Sequence, residues 1–334
     1  MPTMRDLSRW IRDYGHDARH LSRLIADRFV WHQLWAAMDI IDDVESATTA
    51  YLDHEFPTEK GERYLRVYGA LQGLFLQQDA LVDLIKAIHP AKEILQNDVL
   101  KDIREARNAS IGHPTRLNRK GKLSAHGIVQ NSMTKDGFDL LSYPHKDGKV
   151  FMHVPVRDLI EKQRAETVRI LLEVVNDLRD QEQVHRDKFR DVKLAKAFDQ
   201  VGYAFEKIFD DARRDSIPHL GRWAVDHLQK SLEDFAKLLK ERELNIDAYD
   251  SIKFLYDELD HPLAELRKFL LNEPSEVLSS KSAIVFADAL QGHFDELRDI
   301  AVEIDEEYAS EPEPIIQAER PNIPITLTTT VVGQ

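Results

Sequence analysis

The chain has 334 residues, no cysteine and a net charge of −14 at pH 7, from 45 basic and 59 acidic side chains. Because no thiol is present, disulfide scaffolds, thiolate zinc sites, iron–sulfur clusters and cysteine nucleophiles are excluded. The length indicates about two domains, and a hydrophobic content of 43 % is sufficient for a folded core.

Hydrophobicity along the chain indicates where the protein resides. No apolar run reaches the roughly 18 to 20 residues that cross a bilayer, and the N-terminus lacks the apolar core of a signal peptide. A cytoplasmic protein without membrane association is therefore predicted. The acidic balance argues against a general nucleic-acid coat and is compatible with a local basic site.

The first 112 residues are predicted to form three helices. Apolar residues recur at intervals of three and four from Leu21 to Ile41 and again from Tyr64 to Ile85, which is typical of amphipathic helices. A third helix is predicted from about Ala91 to Ile111. It is expected to end there because Gly112 can terminate a helix and Pro114 prevents its continuation.

Residues 121–156 have the pattern of a small antiparallel β-meander. Asp-Gly pairs at Asp136-Gly137 and Asp147-Gly148 separate short β-rich runs, and this dipeptide is a strong hairpin signal. The predicted strands lie near 124–132, 138–143 and 149–154.

Helical spacing resumes after the meander. One helix is predicted from Arg157 to about Arg190, and further helices are predicted beyond it, with a break near Pro262. The C-terminal segment is β-prone and is expected either to add a strand to a sheet edge or to form a loose tail. The predicted organisation is a first domain at 1–190, a second helical domain at 191–309, and an acidic, proline-containing linker with a β-prone tail at 310–334.

The segment from Arg104 to Pro114, at the end of the third predicted helix, has the clearest chemical potential. An arginine such as Arg107 presents planar donors to phosphate oxygens and keeps its charge. A histidine such as His113 titrates near neutrality and can transfer protons. RNA carries its own nucleophile, the 2′-hydroxyl. These two side chains are therefore candidates for RNA cleavage without a metal.

Helix geometry restricts how these two side chains can meet. Six residues of regular α-helix advance about 9 Å and turn about 600°, so Arg107 and His113 would point about 120° apart. Gly112 allows the chain to turn away, and Pro114 biases His113 towards an extended conformation. A two-fold symmetric dimer is the other way to gather the groups, because it brings two copies of the segment face to face.

A basic patch surrounds this segment. Between Lys101 and Lys122, seven basic and two acidic residues give a local charge of +5 in a chain of net −14. A phosphate backbone is expected to bind such a patch. The residues predicted to bind RNA phosphates are Arg104, Arg116, Arg119, Lys120 and Lys122.

The string Arg107-Asn108-x4-His113 resembles the motif of HEPN domains, the helical "higher eukaryotes and prokaryotes nucleotide-binding" superfamily. That motif has an arginine, often followed by Asn, Asp or His, and then a histidine after a few residues. The antiparallel helices and the position of the motif near a helix end also fit. The resemblance covers about residues 18–190, and the β-meander and the second helical block lie outside the core pattern of the family.

The resemblance implies a HEPN-like antiparallel helical bundle. Together with the β-meander at about 121–156 and the second helical domain, which the sequence pattern predicts, the expected fold class is mainly α. The resemblance also implies a homodimeric endoribonuclease that needs no metal or cofactor, often a toxin or phage-defence effector. Its partners would be RNA and a cognate antitoxin or defence-complex protein. By carry-over, Arg107 would stabilise the phosphorane, His113 would act as general base or acid, and Asn108 would orient or contact the phosphate.

Two less specific interpretations use the same residues. Arg107 would pair with an acidic residue of a neighbouring helix and His113 would cap the helix end in a non-catalytic HEPN-like interaction or regulatory module. Alternatively, the domain would bind a nucleotide without cleaving RNA.

Two other patterns are explained by solvated helix surfaces. His16 and His20 have the spacing of zinc ligands on a helix, and an acidic cluster lies between Asp39 and Glu45. Charged runs of this kind are typical of exposed helix faces, so no metal and no cofactor are predicted. The strings of P-loops, Rossmann folds and serine hydrolases are absent from the sequence.

Overall fold

The helices predicted from apolar periodicity are present, and the chain is mainly helical with a small antiparallel sheet. The computed structural model describes residues 2–16, 27–89, 97–115, 117–119, 122–144, 149–213, 220–277, 279–310 and 329–331. Among the helices in these ranges, none has both the length and the apolar composition of a bilayer-crossing segment.

The described residues group into two compact units. The first lies within Met1–Tyr14, Leu24–Leu178 and Ile315–Gln334, and the second within Gly15–Arg23 and Arg179–Pro314. The first unit is built on α1 (Met4–His16), α2 (Arg28–Asp53), α3 (Lys60–Ile88), α4 (Asp98–Arg107) and the first part of α5 (Val156–Phe189).

Side-chain caps determine where three of these helices begin. Asp27 accepts hydrogen bonds from the backbone N–H groups at the start of α2, Glu59 does the same for α3, and Asn97 for α4. Such caps satisfy backbone donors that have no partner inside the helix. The first and third of these caps place the starts of α2 and α4 at Arg28 and Asp98, later than the predicted starts at Leu21 and Ala91, which themselves lie outside the described residues.

The sheet is an antiparallel meander in the order β1-β2-β3-β4-β5. Its strands are β1 (Leu117–Arg119), β2 (Lys122–Ile128), β3 (Phe138–Pro144), β4 (Val150–Val154) and β5 (Thr329–Val331). The hairpin at Asp136-Gly137 is confirmed, whereas β2 ends earlier than predicted, because Gln130–Ser132 forms a 3₁₀ turn. The C-terminal strand pairs with the edge strand β4, which is the first of the two alternatives for that segment.

One face of the sheet packs against the helices. Phe138, Leu140 and Val154 are buried there, in a core that also contains Ala106 and Ala109 at the end of α4. The intervening residues of β3 and β4 point to the opposite face, as the two-residue period of a strand requires. The meander is therefore part of the core that supports α4 rather than a peripheral insertion.

Gly137 provides a stability test of this packing. A Cβ at Gly137 would lie closer than 3.0 Å to the backbone oxygen of Val154, whereas a Cβ at Gly69, inside α3, would meet nothing within 4 Å. We expect Gly137→Ala to lower the free energy of unfolding by about 1–3 kcal/mol, and Gly69→Ala to raise it by about 0.5–1 kcal/mol. Urea unfolding measures both changes, and equal effects would contradict this description of the hairpin.

In the described part of the second unit, the end of α5 and four further α-helices surround an apolar core that includes Phe205, Phe235 and Phe294. These helices are α6 (Val201–Arg213), α7 (Gly221–Glu241), α8 (Asp250–Leu270) and α9 (Ser280–Ala309).

The helix break predicted at Pro262 is wrong. Helix α8 continues through Pro262 without interruption. Leu259, Leu263 and Leu266, on both sides of the proline, are buried in the core. Burying each apolar side chain contributes about 1.5–3 kcal/mol, which together outweighs the roughly 3 kcal/mol cost of an internal proline.

Candidate functional site

The helix that carries the motif ends in a π turn. Regular α4 stops at Arg107, and Asn108–Gly112 form one wide turn closed by a hydrogen bond of 2.8 Å from the His113 backbone N–H to the Asn108 backbone oxygen. The predicted end of the helix near Gly112 is confirmed, but the change of helix type at Asn108 was not foreseen. Single π turns are rare and occur frequently at functional sites.

The Arg107 guanidinium is half-buried and held by neutral groups. Its Nη1 donates to Asn108 Oδ1 at 2.9 Å and its Nη2 donates to Gln72 Oε1 at 2.7 Å. The guanidinium carbon lies 4.2 Å from the ring centroid of Phe75, in a cation–π contact. Among the described residues no carboxylate pairs with Arg107, so its positive charge is not compensated there.

Gly112 makes room for this arrangement. A Cβ at Gly112 would lie closer than 3.0 Å to Arg107 Nη1 and at 2.9 Å from Asn108 Oδ1. A side chain at this position would therefore displace the guanidinium from both amide oxygens. The glycine is required for close packing around Arg107 as well as for ending the helix.

His113 follows the π turn and is exposed. Its imidazole makes no hydrogen bond to another residue in the described part of the chain, and only its backbone N–H takes part in closing the turn. The predicted extended conformation is not adopted: φ is −136° and ψ is 49°, because the N–H is held by Asn108. The imidazole is therefore available to a ligand from solvent.

Arg104 lies one helical turn before Arg107 and has different partners. Its Nη2 pairs with the Asp79 carboxylate, and its Nε donates to Gln78 Oε1 at 3.2 Å. Its guanidinium carbon lies 4.3 Å from the centroid of the same Phe75 ring. The charge of this predicted phosphate ligand is thus compensated within the protein, which lowers the +5 charge counted along the sequence.

A buried chain of amide groups holds the face of α3 that meets α4. Gln78 donates to Gln163 Oε1 at 2.8 Å, and Gln163 Nε2 donates to the Leu74 backbone oxygen at 2.8 Å and to Gln77 Oε1 at 2.9 Å. The three glutamines are buried. Satisfied buried networks of this kind rigidify the core around them, and this one fixes the helix that carries Gln72 and Phe75.

For the remaining predicted phosphate ligands, the structure describes at most the backbone. Arg116 and Lys120 lie outside the described residues. Arg119 and Lys122 form a backbone pair between β1 and β2, and their side chains are outside the description. Their roles in binding RNA stay predictions.

Asn108 has a role that the motif did not indicate. Its side-chain oxygen is used by Arg107, so its NH₂ group is the part that can donate to a phosphate.

The two patterns that resemble metal sites are not assembled into one. In the acidic cluster, Asp39 and Asp42 both accept hydrogen bonds from Arg12. His20 lies outside the described residues, and within those residues no three His, Asp or Glu side chains are placed to hold a metal ion.

No family model, curated protein or solved structure matches this chain. The functional interpretation therefore depends on the geometry at the end of α4 and on the motif.

Three of the contributors to this geometry that the sequence did not indicate lie along one stripe of α3. Gln72, Phe75 and Asp79 occur at intervals of three and four, so they share the helix face that meets Arg104 and Arg107. The sequence signal for them is this polar–aromatic–acidic stripe, which apolar periodicity alone does not reveal.

Proposed function

We propose that the first unit is a HEPN-like endoribonuclease that cleaves RNA through 2′-hydroxyl attack, without a metal ion, at a site shared by two copies of the chain. The observation that carries this proposal is the Arg107 guanidinium, which is held by two neutral amide oxygens at the same helix end that is followed by the exposed His113. The alternative in which Arg107 pairs with an acidic residue finds no support among the described residues.

RNA cleavage by 2′-hydroxyl attack needs two proton transfers and stabilisation of the negative charge on the phosphorus centre. The 2′ oxygen forms a bond to phosphorus while the bond from phosphorus to the 5′ oxygen breaks. A general base accepts the 2′ proton, and a general acid gives a proton to the leaving 5′ oxygen. The products are a 2′,3′-cyclic phosphate and a 5′-hydroxyl. In this proposal His113 transfers protons, and Arg107 stabilises the negative charge on the non-bridging oxygens.

A homodimer explains how one histidine in each chain serves two proton transfers. Two-fold symmetry brings a second His113 and a second Arg107 to the same cleft. Helix α3 supports such an association, because Leu65, Tyr68 and Leu76 are 74 %, 43 % and 43 % exposed. These apolar side chains follow helical spacing in line with Gln72, so the exposed face of α3 continues directly to the partner of Arg107.

The motif resemblance favours a role as a toxin or phage-defence effector, with a cognate antitoxin or defence-complex protein as partner. The second candidate function is a non-catalytic interaction module. The exposed apolar face of α3 and the compensation of Arg104 by Asp79 favour it. It predicts protein association without any cleavage of RNA.

The proposed activity is tested with a short, end-labelled single-stranded RNA and the full chain in EDTA. We expect cleavage to products that carry a 2′,3′-cyclic phosphate, because the nucleophile belongs to the RNA. An oligonucleotide of the same sequence with 2′-deoxyribose throughout is the control and should remain intact. Absence of cleavage, or cleavage that starts only when Mg²⁺ is added, would contradict the proposal.

A further inference from the structure

We infer that Gln72 is a positioning residue that holds Arg107 through a neutral oxygen and thereby keeps the full positive charge available to a phosphodiester. This inference rests on the proposed function, since it concerns how the same site recognises the RNA backbone. It adds a residue of α3 that lies outside the motif.

The orientation of the Gln72 amide follows from chemistry. An arginine side chain has five N–H donors and no acceptor, so only the amide oxygen of Gln72 can face Arg107 Nη2, at 2.7 Å. The NH₂ group of the amide must point away. The contact is therefore a one-way hydrogen bond that fixes the guanidinium and contributes no negative charge.

Two amide oxygens and a ring together restrain the guanidinium. Asn108 holds Nη1, Gln72 holds Nη2, and Phe75 lies against the guanidinium at 4.2 Å. Each terminal nitrogen keeps one N–H that no described residue uses. Because these two groups are fixed in one plane, a phosphate can accept both in a bidentate contact.

Arg104 provides the internal comparison. Both arginines lie over the Phe75 ring and both contact α3, but α3 offers a carboxylate, Asp79, to Arg104 and an amide, Gln72, to Arg107. A carboxylate in place of the Gln72 amide would have the same size and would form the second ion pair. The difference between the two acceptors thus makes Arg107 the guanidinium that is free to bind an external anion.

The test compares Gln72→Glu, Gln72→Met and a matched control, Gln130→Glu. Gln130 is exposed in the turn after β2, on a different element from the groups that hold Arg107. Gln130→Glu adds one negative charge, as Gln72→Glu does. The probe for binding is the uncleavable 2′-deoxy oligonucleotide, titrated at several salt concentrations, and cleavage of the RNA is measured in parallel.

We expect Gln72→Glu to weaken oligonucleotide binding roughly tenfold and to reduce the slope of log K against log salt by about 0.7, the contribution of one phosphate contact on a single strand. The ion pair should leave the thermal midpoint unchanged or raise it. Gln72→Met should keep the salt slope and lower kcat, because the charge remains while its position is lost. Gln130→Glu should match the wild type in all measurements.

The outcomes separate this inference from the proposed function. A Gln72→Glu protein with wild-type salt slope and cleavage would overturn the positioning role while the nuclease proposal stands. A wild-type protein that binds the oligonucleotide without cleaving RNA, with a reduced slope in Gln72→Glu, would retain the positioning role and overturn the nuclease proposal. A wild-type protein that neither binds nor cleaves would overturn both.

Discussion

Replacing His113 by alanine is expected to lower the rate of RNA cleavage by about 10²–10⁴-fold, the usual contribution of a general acid or base. The thermal midpoint should not change, because the imidazole is exposed and makes no hydrogen bond to another described residue. The backbone N–H that closes the π turn is retained by alanine. Initial rates in EDTA and a thermal melt measure the two properties on the same preparation.

His153→Ala is the matched control for this substitution. His153 is also exposed, and it pairs with Asp139 at 2.8 Å on the sheet face that points away from the helices. An exposed polar pair of this kind contributes at most about 1 kcal/mol, and it lies outside the proposed site, so His153→Ala should cleave RNA at the wild-type rate. Cleavage retained by a clean His113→Ala preparation would exclude His113 as the proton-transfer group.

Gly112→Ala is expected to lower cleavage about 100-fold with little loss of stability. The added methyl group would clash with Arg107 Nη1. Because the clash involves the end of a flexible side chain, the guanidinium can move at small cost, but it then leaves the oxygens of Gln72 and Asn108. A displacement of about 1 Å at a catalytic group can cost about 10²-fold in rate. Cleavage rates and urea unfolding together measure the effect.

Gly127→Ala provides the comparison for Gly112→Ala. Gly127 lies in β2, and a Cβ there would meet nothing within 4 Å. This variant should cleave RNA as the wild type does. If Gly112→Ala also cleaves at the wild-type rate, the position of the guanidinium described at the end of α4 is not the one used in catalysis.

Local sequence signals were sufficient for most of the helices. The helix predicted from Arg157 to about Arg190 is observed as Val156–Phe189, because regular apolar spacing specifies a long helix. The same reasoning failed at Pro262, where the local rule predicted a break. Burial of leucines on both sides of the proline is a tertiary effect, and no pattern around a single proline reports it.

For the candidate site, the sequence predicts the motif residues but not the contacts that hold them. Arg107 and His113 could be selected because their chemistry and spacing are visible in the sequence. The pairing of Arg104 with Asp79 and the contact of Arg107 with Gln72 connect two helices. Such contacts depend on the rotation and offset of one helix against the other, which sequence spacing within either helix does not contain. Counting charges along the sequence therefore overestimates the net positive charge around the motif, because Asp79 of another helix offsets Arg104.

The core shared by α4 and the sheet has a consequence for control of the site from a distance. Ala106 and Ala109, on either side of the motif arginine, pack in the same core as Phe138 and Leu140 of β3. Close-packed interiors transmit displacement rather than absorb it. The position of the motif arginine therefore depends on the packing of β3 as well as on α4 itself, and a change on the buried face of the sheet is expected to displace the guanidinium.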